Sequence, residues 1–217
     1  MLPISLPVGR DGRLKLLILG AHADDIEIGC AGTIIRLLEE GRELEIRWVV
    51  FGADESRRAE AEASATELLQ GVSRRRIDVL RFRNGYFASE LAAIKDQFEA
   101  LKSEFEPSLI LTHWTGDAHQ DHRAVAELSH QTFRNHVLLE YEIPKYDGDL
   151  GNPNFFVGLS ASQLQRKLEI LRRHFPSQQG RHWFTDDTFR AMARLRGIGC
   201  RSESGLAEAF HARKLFF

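Results

Sequence analysis

The chain contains the apolar stretch Leu14-Lys15-Leu16-Leu17-Ile18-Leu19, followed directly by Gly20-Ala21-His22-Ala23-Asp24-Asp25. An apolar run of this length predicts a strand that is buried on both faces, as in the parallel sheet of an α/β protein. Polar residues that follow such a strand lie at its carboxyl end, where open α/β sheets bind their ligands. This stretch therefore predicts the fold class and the position of one functional loop.

Strand and helix patterns alternate along the chain beyond this stretch. Further strand patterns cover residues 43–51, 77–82, 109–112, 137–143 and 155–159, and helix patterns cover residues 32–40, 56–69, 90–105, 121–134, 162–174 and 185–197. We see no repeat or linker that would divide the chain. The alternation predicts one Rossmann-like α/β domain over residues 1–217, with a largely parallel open sheet and helices on both faces.

The composition excludes several classes of protein. The 217 residues are 43% hydrophobic and 28% charged, which is typical of a globular domain with its own core. Because 29 basic residues stand against 31 acidic ones, no overall field favours nucleic acid. We expect no signal peptide and no membrane-inserted segment. Because the two cysteines are far apart in the sequence, they indicate a reduced compartment, and we expect a cytoplasmic protein. The sequence leaves a homo-oligomer possible.

Two polar loops carry residue types that suit a divalent metal ion. The second loop follows the strand at 109–112 and contains His119, Asp121 and His122. Since the first and fourth strands of a doubly wound sheet can be neighbours, both loops can face one crevice. Imidazoles and carboxylates without thiolates suit zinc, and iron(II) also accepts this set.

The spacing of these residues predicts a division of roles. His22 and Asp25 can converge on one ion from a single turn, and His122 can be the third protein ligand. One of the two adjacent carboxylates then stays free as a general base toward a water whose pKa the metal lowers. His119 can bond a developing oxyanion or protonate a leaving amine. An aspartate at position 121 can orient an imidazole through its second nitrogen.

The stretch His22-Ala23-Asp24-Asp25-Ile26-Glu27-Ile28-Gly29-Cys30-Ala31-Gly32-Thr33 resembles the signature loop of the PIG-L/LmbE-like zinc-dependent N-acetylglucosaminyl deacetylases. The stretch His119-Gln120-Asp121-His122 resembles the His-x-Asp-His motif of the same family. The chain departs from the pattern at Ala23, where proline is usual, and at Ala31, where a second glycine is usual. Neither change removes a ligand.

The resemblance implies a function for each matching residue. It implies that His22, Asp25 and His122 bind the metal, that Asp24 is the general base, and that His119 assists the oxyanion and leaving group with Asp121 as its partner. It also implies a sugar-contacting arginine early in the second helix. Arg57 and Arg58 both fit this position, and the sequence does not decide between them.

The expected function is a zinc-dependent hydrolase that removes the N-acetyl group from an N-acetylglucosamine-type amino sugar or glycoconjugate. One alternative is an amidase that cleaves another acyl group from a glycosylated thiol or an antibiotic-like conjugate. Another is a non-catalytic relative that binds a sugar or a nucleotide. The first loop lacks the Gly-x-Gly-x-x-Gly pattern and a Gly-rich phosphate loop, which argues against a nucleotide module.

Several other residues have a structural and a functional interpretation. Trp114 lies inside the second loop and can form a wall of a sugar pocket. His113 can be either a packed core residue or a residue of the site. The run at residues 74–76 is expected to be a solvated turn. We expect five histidines to be structural or exposed, without a nearby carboxylate constellation: His130, His136, His174, His182 and His211.

Overall fold

The computed structural model describes residues 11–215. Residues 1–10, on which the expected absence of a signal peptide rests, and residues 216–217 lie outside this range. The strands are β1 Leu14–Gly20, β2 Leu44–Val50, β3 Arg74–Val79, β4 Leu109–His113, β5 Val137–Tyr141, β6 Phe155–Gly158 and β7 Ala207–His211. The helices are α1 Asp25–Glu39, α2 Glu55–Leu68, α3 Leu91–Glu104, α4 Gln120–Thr132, α5 Ala161–His174 and α6 Asp186–Cys200.

All seven strands belong to one sheet with the order β3-β2-β1-β4-β5-β7-β6. Strands β1 to β5 pair in parallel, and β7 runs antiparallel between β5 and β6. The strand order reverses at β1, which has β2 on one side and β4 on the other. The loops after β1 and β4 therefore lie side by side at the carboxyl edge of the sheet.

Helices cover both faces of this sheet. Leu16 and Ile18 of β1 pack into a core cluster that includes residues of α1, α2 and α5. Leu17 and Leu19 point the other way and pack with residues of α3 and α4. The predicted largely parallel α/β fold with helices on both faces is confirmed. Since α1 and α4 lie on opposite faces, the crevice between their first turns opens above β1 and β4.

The first helix begins earlier than its apolar pattern predicts. It starts at Asp25 rather than near residue 32, and Asp24 is its N-cap residue. Acidic residues favour the first turn of a helix because its backbone N–H groups carry partial positive charge. Two glycines lower the helix propensity of this segment, but its burial in the core overrides that preference.

The far edge of the sheet differs from the prediction in two places. β3 covers Arg74–Val79 rather than residues 77–82, so residues 74–76 form a strand and not a solvated turn. Their side chains are exposed, and charged side chains on an edge strand discourage pairing with other chains. β7 has no counterpart among the predicted strands, although it lies between β5 and β6.

No helix within residues 11–215 is long and apolar enough to cross a lipid bilayer.

Candidate active site

Three side chains from the two loops meet at the switch point of the sheet. His22 Nδ1 lies 3.1 Å from His122 Nε2 and 3.3 Å from Asp25 Oδ2. His122 Nε2 lies 3.5 Å from Asp25 Oδ1. All three residues are buried, and we call them the triangle: Asp25 faces His22 with Oδ2 and His122 with Oδ1. The structure thus brings together the three residues predicted to bind a metal.

Two further carboxylates set the orientation of the two imidazoles. Asp121 Oδ2 accepts from His22 Nε2 at 3.1 Å, and Asp117 Oδ2 accepts from His122 Nδ1 at 2.9 Å. An ionised carboxylate only accepts hydrogen bonds, so in each neutral ring the proton lies on the nitrogen that faces it. His22 Nδ1 and His122 Nε2 therefore present lone pairs toward each other across 3.1 Å. This arrangement requires a proton or a cation between them.

The triangle has the dimensions of a divalent metal site. Four ligands at about 2.0–2.1 Å around tetrahedral zinc stand about 3.3 Å from one another. The two imidazole nitrogens are 3.1 Å apart, and each has an oxygen of Asp25, though not the same one, at 3.3 or 3.5 Å. A carboxylate with two imidazoles, each held by a second carboxylate, is a usual ligand arrangement for catalytic zinc. The residues present therefore fit a divalent cation.

Two overlapping residue groups at this place also have ligand atoms within 4.8 Å of one another: His22 with His119 and His122, and Asp25 with His113 and His122. His113 Nε2 already accepts the backbone N–H of Ala21 at 2.9 Å, so its lone pair is engaged. Its ring stacks on that of His122, with 4.0 Å between the centroids. His113 therefore supports the ring of His122 and is not the best third ligand.

The electrostatics of the site favour a positive charge at the triangle. Burial works against the charged form of His122, but Asp25 and Asp117 raise its pKa to about 10. Burial also opposes ionisation of Asp25, yet the neighbouring histidines hold its pKa well below the ordinary value. In contrast, burial and the proximity of His122 lower the pKa of His113 to about 4. The carboxylates thus stabilise one cationic charge at this point.

Asp24 does not join the triangle, because its side chain points toward α2. Its Oδ1 accepts from Arg57 Nη2 at 2.6 Å, and only 5% of the residue is exposed. Burial raises the pKa of Asp24 above the ordinary value, even though Arg57 opposes this shift. Asp54 caps α2 by accepting from the Arg57 N–H, which turns the arginine toward the site. Arg58 instead pairs with Glu62 on its own helix.

His119 lies beside the triangle at the N-cap of α4. Its ring is 4.9 Å from that of His22 and 4.6 Å from that of His122. Its Nδ1 accepts the backbone N–H of Asp121 at 3.2 Å. Burial and the nearby His122 lower the pKa of His119, so the neutral ring carries its proton on Nε2. This N–H is the group of His119 that is free to bond another molecule.

The side chain of Asp121 does not pair with His119, contrary to the prediction from the resemblance. It is fully buried and bonds His22, and it also accepts the backbone N–H groups of Gly85 and Phe87 at 2.5 and 3.2 Å. Helix geometry explains the difference. Asp121 is in the first turn of α4 and faces inward, while His119 precedes that turn in extended conformation.

Trp114 lies next to the site, where it is half-buried. Its ring stacks on His211, with 4.4 Å between centroids and 8° between planes. Gly151 packs against the opposite part of the indole, so closely that a Cβ there would lie 2.6 Å from the ring. The loop between β5 and β6 therefore contacts Trp114 directly.

For five histidines the sequence predicted no nearby carboxylate, but three of them have a carboxylate partner in the structure. His130 Nε2 is 2.6 Å from Glu140, His174 Nε2 is 2.7 Å from Glu67, and His211 Nε2 is 3.6 Å from Glu142. These partners come from other elements of the fold, so local sequence does not reveal them. Each of the three pairs joins two elements outside the triangle.

Sequence reasoning missed Asp117, which is 2% exposed and holds His122. A signal was available, because Asp117 lies in the second loop only five residues before His122. Lys145, whose Nζ is 3.0 Å from Asp117 Oδ1, was also missed. It comes from a different loop, and no local pattern connects it with the site.

The packing of α1 explains both glycines of the first motif. A Cβ at Gly29 would overlap the ring of Tyr141, whose hydroxyl donates to Leu19 O at 2.5 Å. A Cβ at Gly32 would lie 2.9 Å from the Glu208 carboxylate. Both glycines thus allow α1 to approach the sheet closely enough to place Asp25.

The comparisons with known proteins identify the family of the chain. The family model of PIG-L, described as GlcNAc-PI de-N-acetylase, matches residues 17–133. The chain is 28% identical over 171 residues to the uncharacterized deacetylase YaiS of Escherichia coli (strain K12), covering 75% of this chain and 91% of that protein.

Two solved structures have a similar fold. One is the N,N'-diacetylchitobiose deacetylase from Pyrococcus horikoshii in complex with its inhibitor MPG, with a TM-score of 0.69 at 22% identity over 91% of this chain and 83% of that chain. The other is GalB, the 4-carboxy-2-hydroxymuconate hydratase from Pseudomonas putida KT2440, with a TM-score of 0.67 at 16% identity over 94% and 98% of the two chains.

The family match begins within β1 and extends to the end of α4, so it includes every residue of the triangle. It spans more than half of the chain. The chain belongs to the PIG-L family of deacetylases, which are amide hydrolases.

Proposed function

We propose that this protein uses a divalent metal to remove the acetyl group from the nitrogen of an N-acetylated amino sugar or glycoconjugate. Zinc is the metal that we propose, and iron(II) is the alternative. His22, Asp25 and His122 would hold the metal. One observation carries the proposal: two carboxylates orient two imidazoles so that their lone pairs converge 3.1 Å apart beside Asp25. When bound, zinc supplies a Lewis acid and lowers the pKa of water.

Asp24 is suited to accept a proton from the attacking water. It is adjacent to the triangle but takes no part in it, and its burial gives the carboxylate a raised pKa. A general base works best when its pKa is close to the operating pH. Arg57 fixes the direction of the carboxylate through the 2.6 Å ion pair.

His119 is suited to stabilise the oxyanion of the amide. Because Nδ1 accepts the Asp121 N–H, the neutral ring presents Nε2–H toward the crevice. A fixed donor aimed at developing negative charge costs little reorganisation during the reaction. As Nε2 is the only free nitrogen of the ring, its N–H would stay on the ring as a hydrogen-bond donor, and the proton that Asp24 takes from the water would be the one passed to the leaving amine.

The substrate contacts follow from the same geometry. Arg57 is within reach of the site and Arg58 is not, so we assign the sugar-contacting role to Arg57. Trp114 would form an aromatic wall for the sugar ring on the side of the β5–β6 loop. A cytoplasmic location stays a prediction that rests on the two free cysteines, Cys30 and Cys200.

The first experiment combines metal analysis of the purified protein with acetate release from a panel of N-acetylated sugars. The panel also contains sugars with longer N-acyl chains, which separate the deacetylase from the alternative amidase. It includes a hydratable unsaturated acid, because one structural neighbour is a hydratase. A protein that binds no divalent metal would overturn the metal chemistry. Zinc binding without acyl release from any sugar would overturn the substrate class.

The Asp24→Asn variant tests the general base. We expect unchanged zinc stoichiometry and a fall in kcat of about 10²–10⁴-fold, the usual contribution of general base catalysis. Parental kcat in this variant would contradict the assignment. Arg57→Met and Arg58→Met form a matched pair of variants. Only Arg57→Met should raise KM, and equal values in both variants would remove Arg57 from the substrate site.

A further inference from the structure

The loop at residues 142–154, between β5 and β6, contacts the second loop, which follows β4, through a lysine whose side chain is largely enclosed. Lys145 Nζ lies 3.0 Å from Asp117 Oδ1 and 2.5 Å from Asp149 Oδ2, and only 9% of its side chain is exposed. The other oxygen of Asp117 accepts from His122 Nδ1 at 2.9 Å. An ion pair between Lys145 and Asp117 and a hydrogen bond between Asp117 and His122 therefore connect the β5–β6 loop to a residue of the triangle.

A second contact fixes the same two loops together. Asp149 Oδ2, besides accepting from Lys145, accepts the backbone N–H of Ala118 at 2.6 Å. Lys145 is thus clamped between one carboxylate from each loop. Because Asp117 is 2% exposed, its charge depends on the Lys145 ammonium and on two other donors, His122 and the His119 N–H.

The position of Lys145 gives it more influence than a surface ion pair has. Exposed pairs contribute little because water and salt screen them, but this side chain is almost fully enclosed. Lys145 and the His119 N–H both contact Oδ1 of Asp117, and so fix the carboxylate whose Oδ2 orients the ring of His122. Loss of the group that orients a metal-binding histidine typically lowers metal affinity or activity by about 10–100-fold, and Lys145 fixes such a group, Asp117.

We propose that Lys145 is a positioning residue that couples the β5–β6 loop to the metal ligand His122, so that metal binding and ordering of this loop stabilise each other. The inference rests on the proposed metal site. Coupling free energies are reciprocal: if the docked loop strengthens metal binding, the bound metal must stabilise the docked loop by the same amount.

The test measures zinc affinity and loop protection in the full chain. Zinc affinity is obtained by competition with a chelator, and amide hydrogen exchange is followed at residues 145–151 with and without zinc. In the parent, zinc should slow exchange in this segment. Lys145→Met should bind zinc about 10–100-fold more weakly, the range for residues that support a ligand. In that variant, saturating zinc should leave exchange of the segment unchanged.

Two control variants separate coupling from a general structural effect. Lys145→Arg keeps a cation between the two aspartates and should restore most of the zinc affinity. Asp147→Asn changes a charge in the same loop, but its carboxylate is 4.0 Å from Lys145 and its side chain is 45% exposed. That variant should keep zinc affinity within about twofold of the parent, as expected for an exposed pair.

The possible results have distinct meanings. If the parent binds zinc and Lys145→Met binds it equally well, the coupling is refuted while the proposed function stands. Zinc-independent exchange at residues 145–151 of the parent would refute it in the same way. A parent without zinc affinity would overturn both the proposed function and the coupling.

Discussion

Replacement of Lys167 by methionine tests how the fold holds the helix that carries Asp25. Lys167 is 6% exposed, and its Nζ donates to Ile28 O at 2.7 Å and to Glu208 Oε1 at 2.6 Å. The same carboxylate accepts the backbone N–H groups of Gly32 and Thr33. The ion pair therefore bridges the Ile28 carbonyl and the Gly32 N–H, which an α-helix normally pairs with each other.

The magnitude follows from what the substitution leaves behind. Methionine keeps the length of the side chain but removes the charge, so the Glu208 carboxylate stays buried without its cation. Removing one partner of a buried ion pair costs about 3–5 kcal/mol. Because Glu208 keeps three hydrogen bonds from Gly32 and Thr33, which still stabilise its charge, we expect the lower part of this range, about 3–4 kcal/mol. For a chain of this length, that loss lowers Tm by about 6–16 °C.

The assay is urea unfolding and thermal unfolding of the zinc-saturated variants and the parent. Arg173→Met is the matched control on the same helix, since Arg173 pairs with Glu67 but its side chain is 59% exposed. We expect that control to cost at most about 1 kcal/mol. The double variant Lys167→Met/Glu208→Leu should be more stable than Lys167→Met, because it removes the unpaired charge.

Two outcomes would refute this reasoning. A cost below about 1 kcal/mol for Lys167→Met would show that water or a neighbouring group replaces the ammonium. A double variant that is no more stable than the single variant would show that the buried charge is not the source of the loss.

Two other substitutions test separate parts of the structure. Gly29→Ala should lower the free energy of unfolding by about 1–3 kcal/mol in urea, because its methyl overlaps the fixed Tyr141 ring, and an unchanged midpoint would show that the ring yields. Glu140→Gln tests pH dependence: burial opposes the shift, but hydrogen bonds from His130 and Thr115 lower the pKa of Glu140 below its ordinary 4.5. A carboxyl whose pKa is lower in the folded than in the unfolded state stabilises the fold at pH values above the unfolded-state pKa. The extra stability of the parent over Glu140→Gln should therefore be complete at pH 7 and decrease as the pH falls below about 4.5. Unfolding free energies of both proteins from pH 7 to pH 3 measure this, and a constant difference would contradict it.

The sequence alone determined the fold class and the three residues of the triangle. A strand buried on both faces has a local signature at residues 14–19, because five of these six side chains are apolar and the exception, Lys15, lies near the start of the strand. His22 and Asp25 follow the first predicted strand, and His122 lies in the helix that begins after the second loop, so their convergence could be predicted, while their role as ligands stays a prediction. These inferences succeed because each depends only on neighbouring residues and on the common topology of open α/β sheets.

Local patterns failed where the neighbours of a segment decide its conformation. The first helix begins at Asp25 because burial against the sheet overrides the weak propensity of its glycines. β7 escaped prediction because only the space between β5 and β6 makes residues 207–211 a strand. An alternation of apolar residues over so few positions does not distinguish a strand from a turn.

Only the tertiary structure decided which side chains support the site. The contact of Asp121 with His22 joins residues that are 99 positions apart, and that of Lys145 with Asp117 joins two different loops. The choice between Arg57 and Arg58 depends on the phase of α2, since successive helical residues point about 100° apart. That phase is set where Asp54 caps the helix, and the distance to Asp24 is set by the sheet. Such contacts depend on how separate helices, strands and loops pack together, and this packing cannot be predicted from the local sequence.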